Sequence, residues 1–193
     1  YRENTEGFYP DRNMFQGVGE YMPTEDVAIT AGVFTRKAIE RIANEAFAAA
    51  HTRRKKVTIV HKANVLRYTS GLFKDVCYEV AERYPDVTVE DIHIDAMTAL
   101  LVRDISRFDV IVTENMFGDI LSDLTSELVG GLGLAPSLNT NQQQAMAQAV
   151  HGSAPDIAGK GIANPVGLML SANMLLIWLA RKHEDHYLST YAE

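Results

Sequence analysis

The sequence predicts an α/β fold, and three observations carry that reading. Short β-branched runs at 57–60 (V-T-I-V) and 110–113 (V-I-V-T) have the composition of buried strands. Apolar residues at helical spacing follow such runs along most of the chain. Acids stand where strand gives way to helix, at Asp95 and at Asp119 with Asp123. In open α/β sheets, ligands collect at the carboxyl ends of strands.

The elements follow in order. Residues 1–9 (Y-R-E-N-T-E-G-F-Y) begin with charge and end with an aromatic; by spacing alone Arg2 is a solvated charge and Tyr9 a packed ring. Residues 10–26 hold two Gly and two Pro around Phe15, Tyr21 and Met22, which reads as a surface loop or a projecting arm. A short strand at 27–30 precedes a helix from about Val33 to Arg53. Its apolar face is Phe34, Ala38, Ile39, Ile42, Ala46, Phe47 and Ala50, and the basic run at 53–56 complements its C-terminus. The strand at 57–60 runs into His61, Lys62, Ala63 and Asn64. A lysine there is a surface residue or, if its neighbours lower its pKa, an acid/base group. Ser70 opens a helix that ends before Pro85, with Cys77 as a core residue. An alternating strand through Ile94 ends at Asp95, which on its own reads as a helix cap.

The strand at 110–113 is followed by a polar break, Glu114-Asn115, and a helix from Phe117. Ile120, Leu121, Leu124 and Leu128 can share its apolar face. Asp119 and Asp123 are four residues apart, so both carboxylates leave one side of the helix and repel unless a cation lies between them. They suit a hard ion such as Mg²⁺ or Mn²⁺, or they merely complement the helix dipole. The Gly-, Pro- and Asn-rich stretch at 130–141 reads as a domain crossing, and 142–148 (Q-Q-Q-A-M-A-Q) as a polar linker. A Gly-rich loop at 151–165 then lets a ligand approach backbone closely, and a helix apolar on most faces, with Trp178 as a core residue, follows and should be buried.

Composition narrows the classes. The 193 residues are 47% hydrophobic, enough for one substantial core or parts of two. A net charge of -7 argues against nucleic acid as a partner. The single cysteine excludes an intrachain disulfide and fits a reducing compartment, so the cytoplasm, or the mitochondrial matrix in a eukaryote, is expected. The longest apolar run, 174–180, is too short to cross a bilayer, so no membrane partner is expected.

Four strings taken together resemble the isocitrate/isopropylmalate dehydrogenase family: H-I-D-A-M from His93, N-M-F-G-D-I-L-S-D from Asn115, G-G-L-G-L-A-P-S from Gly130 and H-G-S-A-P-D-I-A-G-K-G-I-A-N-P from His151. With R-E-N-T-E-G from Arg2 and H-K-A-N from His61, which fit the same pattern, the resemblance extends along nearly the whole chain. The resemblance implies a two-domain α/β fold, with residues 1–129 as the substrate, metal and dimerisation domain and 130–193 as the C-terminal part of a nucleotide-binding domain. It implies that Arg2 clamps substrate carboxylates, that Tyr9 donates a proton, and that Lys62 is catalytic and enters the neighbouring subunit's site. Asp119 and Asp123 of one subunit, with Asp95 of the other, would hold Mg²⁺ or Mn²⁺. Asn64 would lie near the nicotinamide. His151, Gly152, Ser153, Ala154, Pro155, Asp156, Ile157 and Asn164 would form the cofactor loop. An acid such as Asp156 accepts from a free ribose hydroxyl and repels a phosphate there, so the cofactor implied is NAD.

The implied reaction is oxidative decarboxylation of a hydroxy-dicarboxylate or -tricarboxylate by a homodimer with shared sites. The strings R-E-N-T-E-G and G-L-F look closer to isocitrate, malate or tartrate enzymes; 3-isopropylmalate is the alternative, and a non-catalytic regulatory subunit is a reading from another class. The interface would come from the arm at 10–26 and the helices at 95–105 and 117–129. Against such relatives the chain reads as a fragment without a leading segment or the last helix, expected to dimerise and to lack turnover alone. Glu114 is larger and more acidic than the resemblance leads one to expect beside the metal turn.

Overall fold

The computed structural model describes residues 1–185, 187, 188 and 190. Two compact units divide the chain, Tyr1–Ser122 and Asp123–Glu193.

The first unit is built on three parallel strands in the order β4-β3-β5. β3 (Lys56–His61) pairs on one side with β4 (Thr88–His93) and on the other with β5 (Val110–Thr113). A central parallel strand loses both edges and both faces to neighbours, which is why β3 is buried from Val57 to His61. α1 (Arg36–His51) and α2 (Thr69–Ala81) supply the main core. Ala43, Ala46 and Ala50 let α1 lie close, and Phe47, Phe73, Val76, Cys77 and Val80 fill the space against Val57, Ile59 and Val112. Each large side chain buried this way contributes roughly 1.5–3 kcal/mol. Cys77 is such a core residue, and burial pushes its thiol well above the ordinary range.

Capping sets the helix starts. α1 begins at Arg36 rather than near Val33, because the Thr35 side chain accepts the Ala38 amide at 3.3 Å. α3 (Ile94–Arg103) starts directly after β4, so Asp95 lies in its first turn and the cap position belongs to His93. α4 (Asn115–Leu128) begins two residues before the predicted start. The break between strand and helix narrows to Glu114, and both Glu114 and Asn115 turn inward and are buried. On α4, Leu121 is buried, whereas Ile120 and Leu128 are exposed, so the four apolar residues do not share one buried face.

The arm region is not all loop. β1 (Glu20–Thr24) and β2 (Val27–Thr30) form an antiparallel hairpin, and every residue of both strands is exposed. Phe15, Tyr21 and Met22 stand in solvent with them.

In the second unit, the stretch predicted as crossing and polar linker forms another hairpin. β6 (Pro136–Thr140) pairs with β7 (Ala145–Ala149), and the Asn141 side chain accepts the Gln143 and Gln144 amides to close the turn. Alternation of Ala with Met and Gln on β7 is a strand pattern too polar to announce itself. α5 (Val166–His183) lies on this hairpin. Ser171 donates from within the helix, accepts the Ser137 amide at 3.0 Å and is fully buried. Gly167 permits the close approach, since a Cβ there would lie 2.8 Å from the Gly133 carbonyl. Contrary to the prediction, most of α5 is not buried. Two strands cover one side, leaving Leu168, Met169, Leu170 and Met174 exposed. Trp178 is half-buried, with the Lys182 ammonium 4.6 Å from its ring.

Candidate active site

Residues 1–3 run beside β5 and join it through an isolated parallel bridge between Arg2 and Thr113. The Thr113 amide donates to the Tyr1 carbonyl and the Glu3 amide to the Thr113 carbonyl, each at 3.1 Å. That pairing lays Arg2 across the first turns of α4. Gly118 makes room, because a Cβ there would meet Arg2 Cγ at 2.5 Å. The guanidinium donates from Nε to Asn115 Oδ1 at 2.9 Å and from a terminal nitrogen to Asp119 Oδ1 at 2.6 Å. The Asn115 amide in turn donates to the Glu6 carbonyl, fixing the turn that follows Arg2.

Tyr9 reaches the same carboxylate. Its hydroxyl donates to Asp119 Oδ2 at 2.8 Å, and Arg2 lies 5.8 Å from its ring centroid. Arg2, Tyr9 and Asp119 are therefore brought together, although 110 residues of sequence separate the tyrosine from the aspartate. The hydrogen bond from Tyr9, with the nearby Arg2, holds Asp119 below the usual carboxylate range. Burial and the bond to Asp119 push the Tyr9 phenol up, so it stays protonated at neutral pH.

A second group lies at the ends of β3 and β4. Lys62 Nζ meets Asp95 Oδ1 at 2.5 Å, and this contact holds Asp95 low. Asn64 is exposed in the turn beyond. A groove of about 680 Å³ opens beside the pair, lined by Phe8, Val65, Leu66, Ile94, Met116 and Ile120 among others.

No three acids, histidines or cysteines come close enough to hold a metal among the described residues. Asp119 and Asp123 follow one another on α4, and Asp95 pairs with Lys62 instead. The donor chemistry nevertheless fits Mg²⁺ or Mn²⁺: Asp119 is an ionised, hard oxygen donor already oriented by Arg2 and Tyr9.

The second unit holds the predicted cofactor loop. His151, Gly152, Ser153, Pro155 and Asp156 are exposed, Ile157 is half-buried, and Ala154 adopts a left-handed conformation that turns the chain into a short 3-10 helix at Pro155–Ile157. Asn164 Oδ1 accepts the Val166 amide at the start of α5. Nothing lies within 4 Å of a Cβ built at Gly152, Gly159 or Gly161, so the backbone is open to a ligand.

Three groups near the site were not legible as functional. Asn115 reads as a loop residue and proves to be a partner of Arg2. Glu114 is buried, receives the Ser70 hydroxyl, and has its other oxygen without a partner. His61, at the end of β3, is hydrogen-bonded through both ring nitrogens.

A family model described as isocitrate/isopropylmalate dehydrogenase matches residues 1–187. The chain is 54% identical over 176 residues to a 3-isopropylmalate dehydrogenase of Archaeoglobus fulgidus, covering 91% of this chain and 52% of that protein. It is 53% identical to an isocitrate/homoisocitrate dehydrogenase of Thermus thermophilus, covering 94% of this chain and 52% of that one. The crystal structure of isocitrate dehydrogenase from Methylococcus capsulatus superposes with a TM-score of 0.83 at 47% identity, over 94% of this chain and 53% of that chain. The chain thus spans about half the length of the curated relatives it matches.

Proposed function

The chain belongs to the isocitrate/isopropylmalate dehydrogenase family, and from that premise we propose that the complete protein oxidises and decarboxylates a 2-hydroxy acid bearing a 3-carboxylate, with NAD and Mg²⁺ or Mn²⁺. The observation that carries the proposal is the meeting of Arg2 and Tyr9 on the two oxygens of Asp119. A planar guanidinium suits a substrate carboxylate. The Tyr9 phenol, kept protonated by burial and by Asp119, is in the form needed to deliver a proton to the carbon that has lost CO₂. Lys62, whose Nζ meets Asp95, would assist removal of the hydroxyl proton as hydride leaves the carbon that bears the hydroxyl. The cation, held by Asp119, Asp123 and Asp95, would polarise the hydroxy acid and carry enolate charge; NAD would take the hydride. Asp156 supports NAD over NADP, because an acid there repels a 2′-phosphate.

Residues 1–129 are assigned to substrate, metal and dimerisation, and 130–193 to the nucleotide. Asp95 pairs with Lys62 rather than with Asp119, which supports a homodimer in which each site draws on two chains. The apolar groove beside Lys62 and the wholly exposed hairpin β1-β2 supply surface for that interface. A cytoplasmic or mitochondrial-matrix location agrees with a lone buried thiol.

The strings R-E-N-T-E-G and G-L-F support isocitrate, malate or tartrate as the substrate. A second reading, 3-isopropylmalate, is favoured by the name of the similar Archaeoglobus protein. A non-catalytic subunit is disfavoured because Arg2, Tyr9, Lys62, Asp95, Asp119, Asp123 and Asp156 are all present. The test is NADH formation by the complete protein with isocitrate, malate, tartrate and 3-isopropylmalate, each with Mg²⁺ or Mn²⁺. Metal-dependent turnover of one with CO₂ release is expected; no turnover of any would overturn the reading.

A further inference from the structure

His61 is the last residue of β3, and its side chain is 2% exposed. Both ring nitrogens are engaged. Nδ1 lies 3.0 Å from the Ala63 amide nitrogen, which donates to it. Nε2 lies 2.8 Å from Asp91 Oδ2 on β4, and the other oxygen of Asp91 accepts the Tyr78 hydroxyl from α2 at 2.6 Å. Only one tautomer satisfies this arrangement. Nδ1 must be a bare acceptor, so the proton belongs on Nε2 and points at the carboxylate. Ala63 stands between Lys62 and Asn64. The Lys62 carbonyl accepts the Val65 and Leu66 amides, so the turn is pinned from within by His61 and closed by its own backbone.

We propose that His61 is a positioning residue for Lys62 and Asn64: the Tyr78–Asp91 pair fixes its tautomer, and its Nδ1 holds the Ala63 amide and with it the turn that aims the lysine. The functional half of this inference rests on the proposed role of Lys62. The groups facing the imidazole are Asp91 and His93 on β4 and Tyr78 and Lys74 on α2. Burial, the largest influence, lowers the His61 pKa, and His93 and Lys74 act in the same direction against Asp91. Charging the ring would set two N–H donors against each other across the 3.0 Å gap to Ala63. The turn, and Lys62 with it, should therefore lose its geometry only in acid.

The test pairs two variants with a spectroscopic readout. His61→Phe keeps the apolar bulk and removes both bonds. His61→Asn offers an oxygen that can accept the amide two residues on, as in an Asx turn, while losing Asp91. In the ¹⁵N spectrum of histidine-labelled wild-type protein, Nδ1 should be unprotonated and Nε2 protonated from about pH 6 to about pH 8. The Ala63 amide should be protected from exchange in wild type and in His61→Asn, and unprotected in His61→Phe. In the complete enzyme, kcat should fall about a hundredfold in His61→Phe with little change in KM, and His61→Asn should recover most of it. A protonated Nδ1 in the wild type, or equal Ala63 protection in both variants, overturns the proposal. Tautomer and exchange are read without turnover, so an inactive protein would count against the proposed reaction and not against this assignment. If His61→Phe does not fold, the wild-type spectrum and His61→Asn decide.

Discussion

Replacing Glu114 with glutamine should stabilise the protein in alkaline solution and do little in acid. Glu114 joins β5 to α4, is 2% exposed, and accepts the Ser70 hydroxyl through one oxygen. Its other oxygen has no partner, and a cavity of about 10 Å³ beside it is lined also by Glu3 and Glu6. Burial raises its pKa from 4.5 to about 7, with the Ser70 bond opposing more weakly. The folded state therefore holds the proton more tightly than the unfolded chain. Stability is unaffected below the unfolded value, falls as pH rises between the two, and stays low above about 7. At roughly 1.4 kcal/mol for each tenfold change in proton affinity, the full cost is about 3 kcal/mol. Glutamine has no charge to desolvate, though its amide carries a pH-independent cost of about 1 kcal/mol. The amide cost cancels between two pH values, so the gain from Glu114→Gln, read from urea unfolding followed by circular dichroism, should be about 2.5 kcal/mol larger at pH 8 than at pH 5. An identical difference at the two pH values would refute the reasoning.

Three further outcomes are expected in the complete protein. Asp119→Asn should raise the Mg²⁺ or Mn²⁺ needed for half-maximal turnover at least tenfold, and an unchanged metal titration would remove Asp119 from the site. Asp156→Lys with Ile157→Tyr should move preference from NAD toward NADP, a trend that kcat/KM for the two cofactors would expose as wrong if wild type already prefers NADP. Tyr9→Phe should slow overall oxidative decarboxylation more than reduction of the β-keto acid, whereas Lys62→Met should slow both; equal losses for the tyrosine variant would deny the division of labour.

Much of the first unit was legible because its strands are β-branched and its helices strongly periodic. β3, β5, α1 and α2 fall within a few residues of their predicted places. Misreadings came where polarity and burial part company. Glu114 and Asn115 look like a break because an inward carboxyl and an exposed one are the same letter in sequence. β6 and β7 are short and hold one β-branched residue between them, Thr140, so a real hairpin read as linker. The exposed apolar side chains of α5 show the converse, since all-round hydrophobicity promises burial only where other elements are there to cover it. Within the site, Arg2, Tyr9, Lys62, Asp95 and Asp119 were nameable from motifs. What no spacing could reveal was the partnership: Arg2 and Tyr9 on Asp119, Lys62 on Asp95.

That split makes the shared site the central claim, and mixing two dead enzymes tests it directly. At a Mg²⁺ concentration that saturates wild type but not Asp119→Asn, Lys62→Met and Asp119→Asn should each be nearly inactive alone as complete proteins. Unfolded together and refolded as mixed dimers, they should regain activity. Each hybrid would contain one site with both Asp119 and Lys62 intact, so an equal mixture should reach about a quarter of wild-type turnover. Turnover no higher than that of the separate variants, in a preparation shown by mass spectrometry to contain hybrids, would contradict the account.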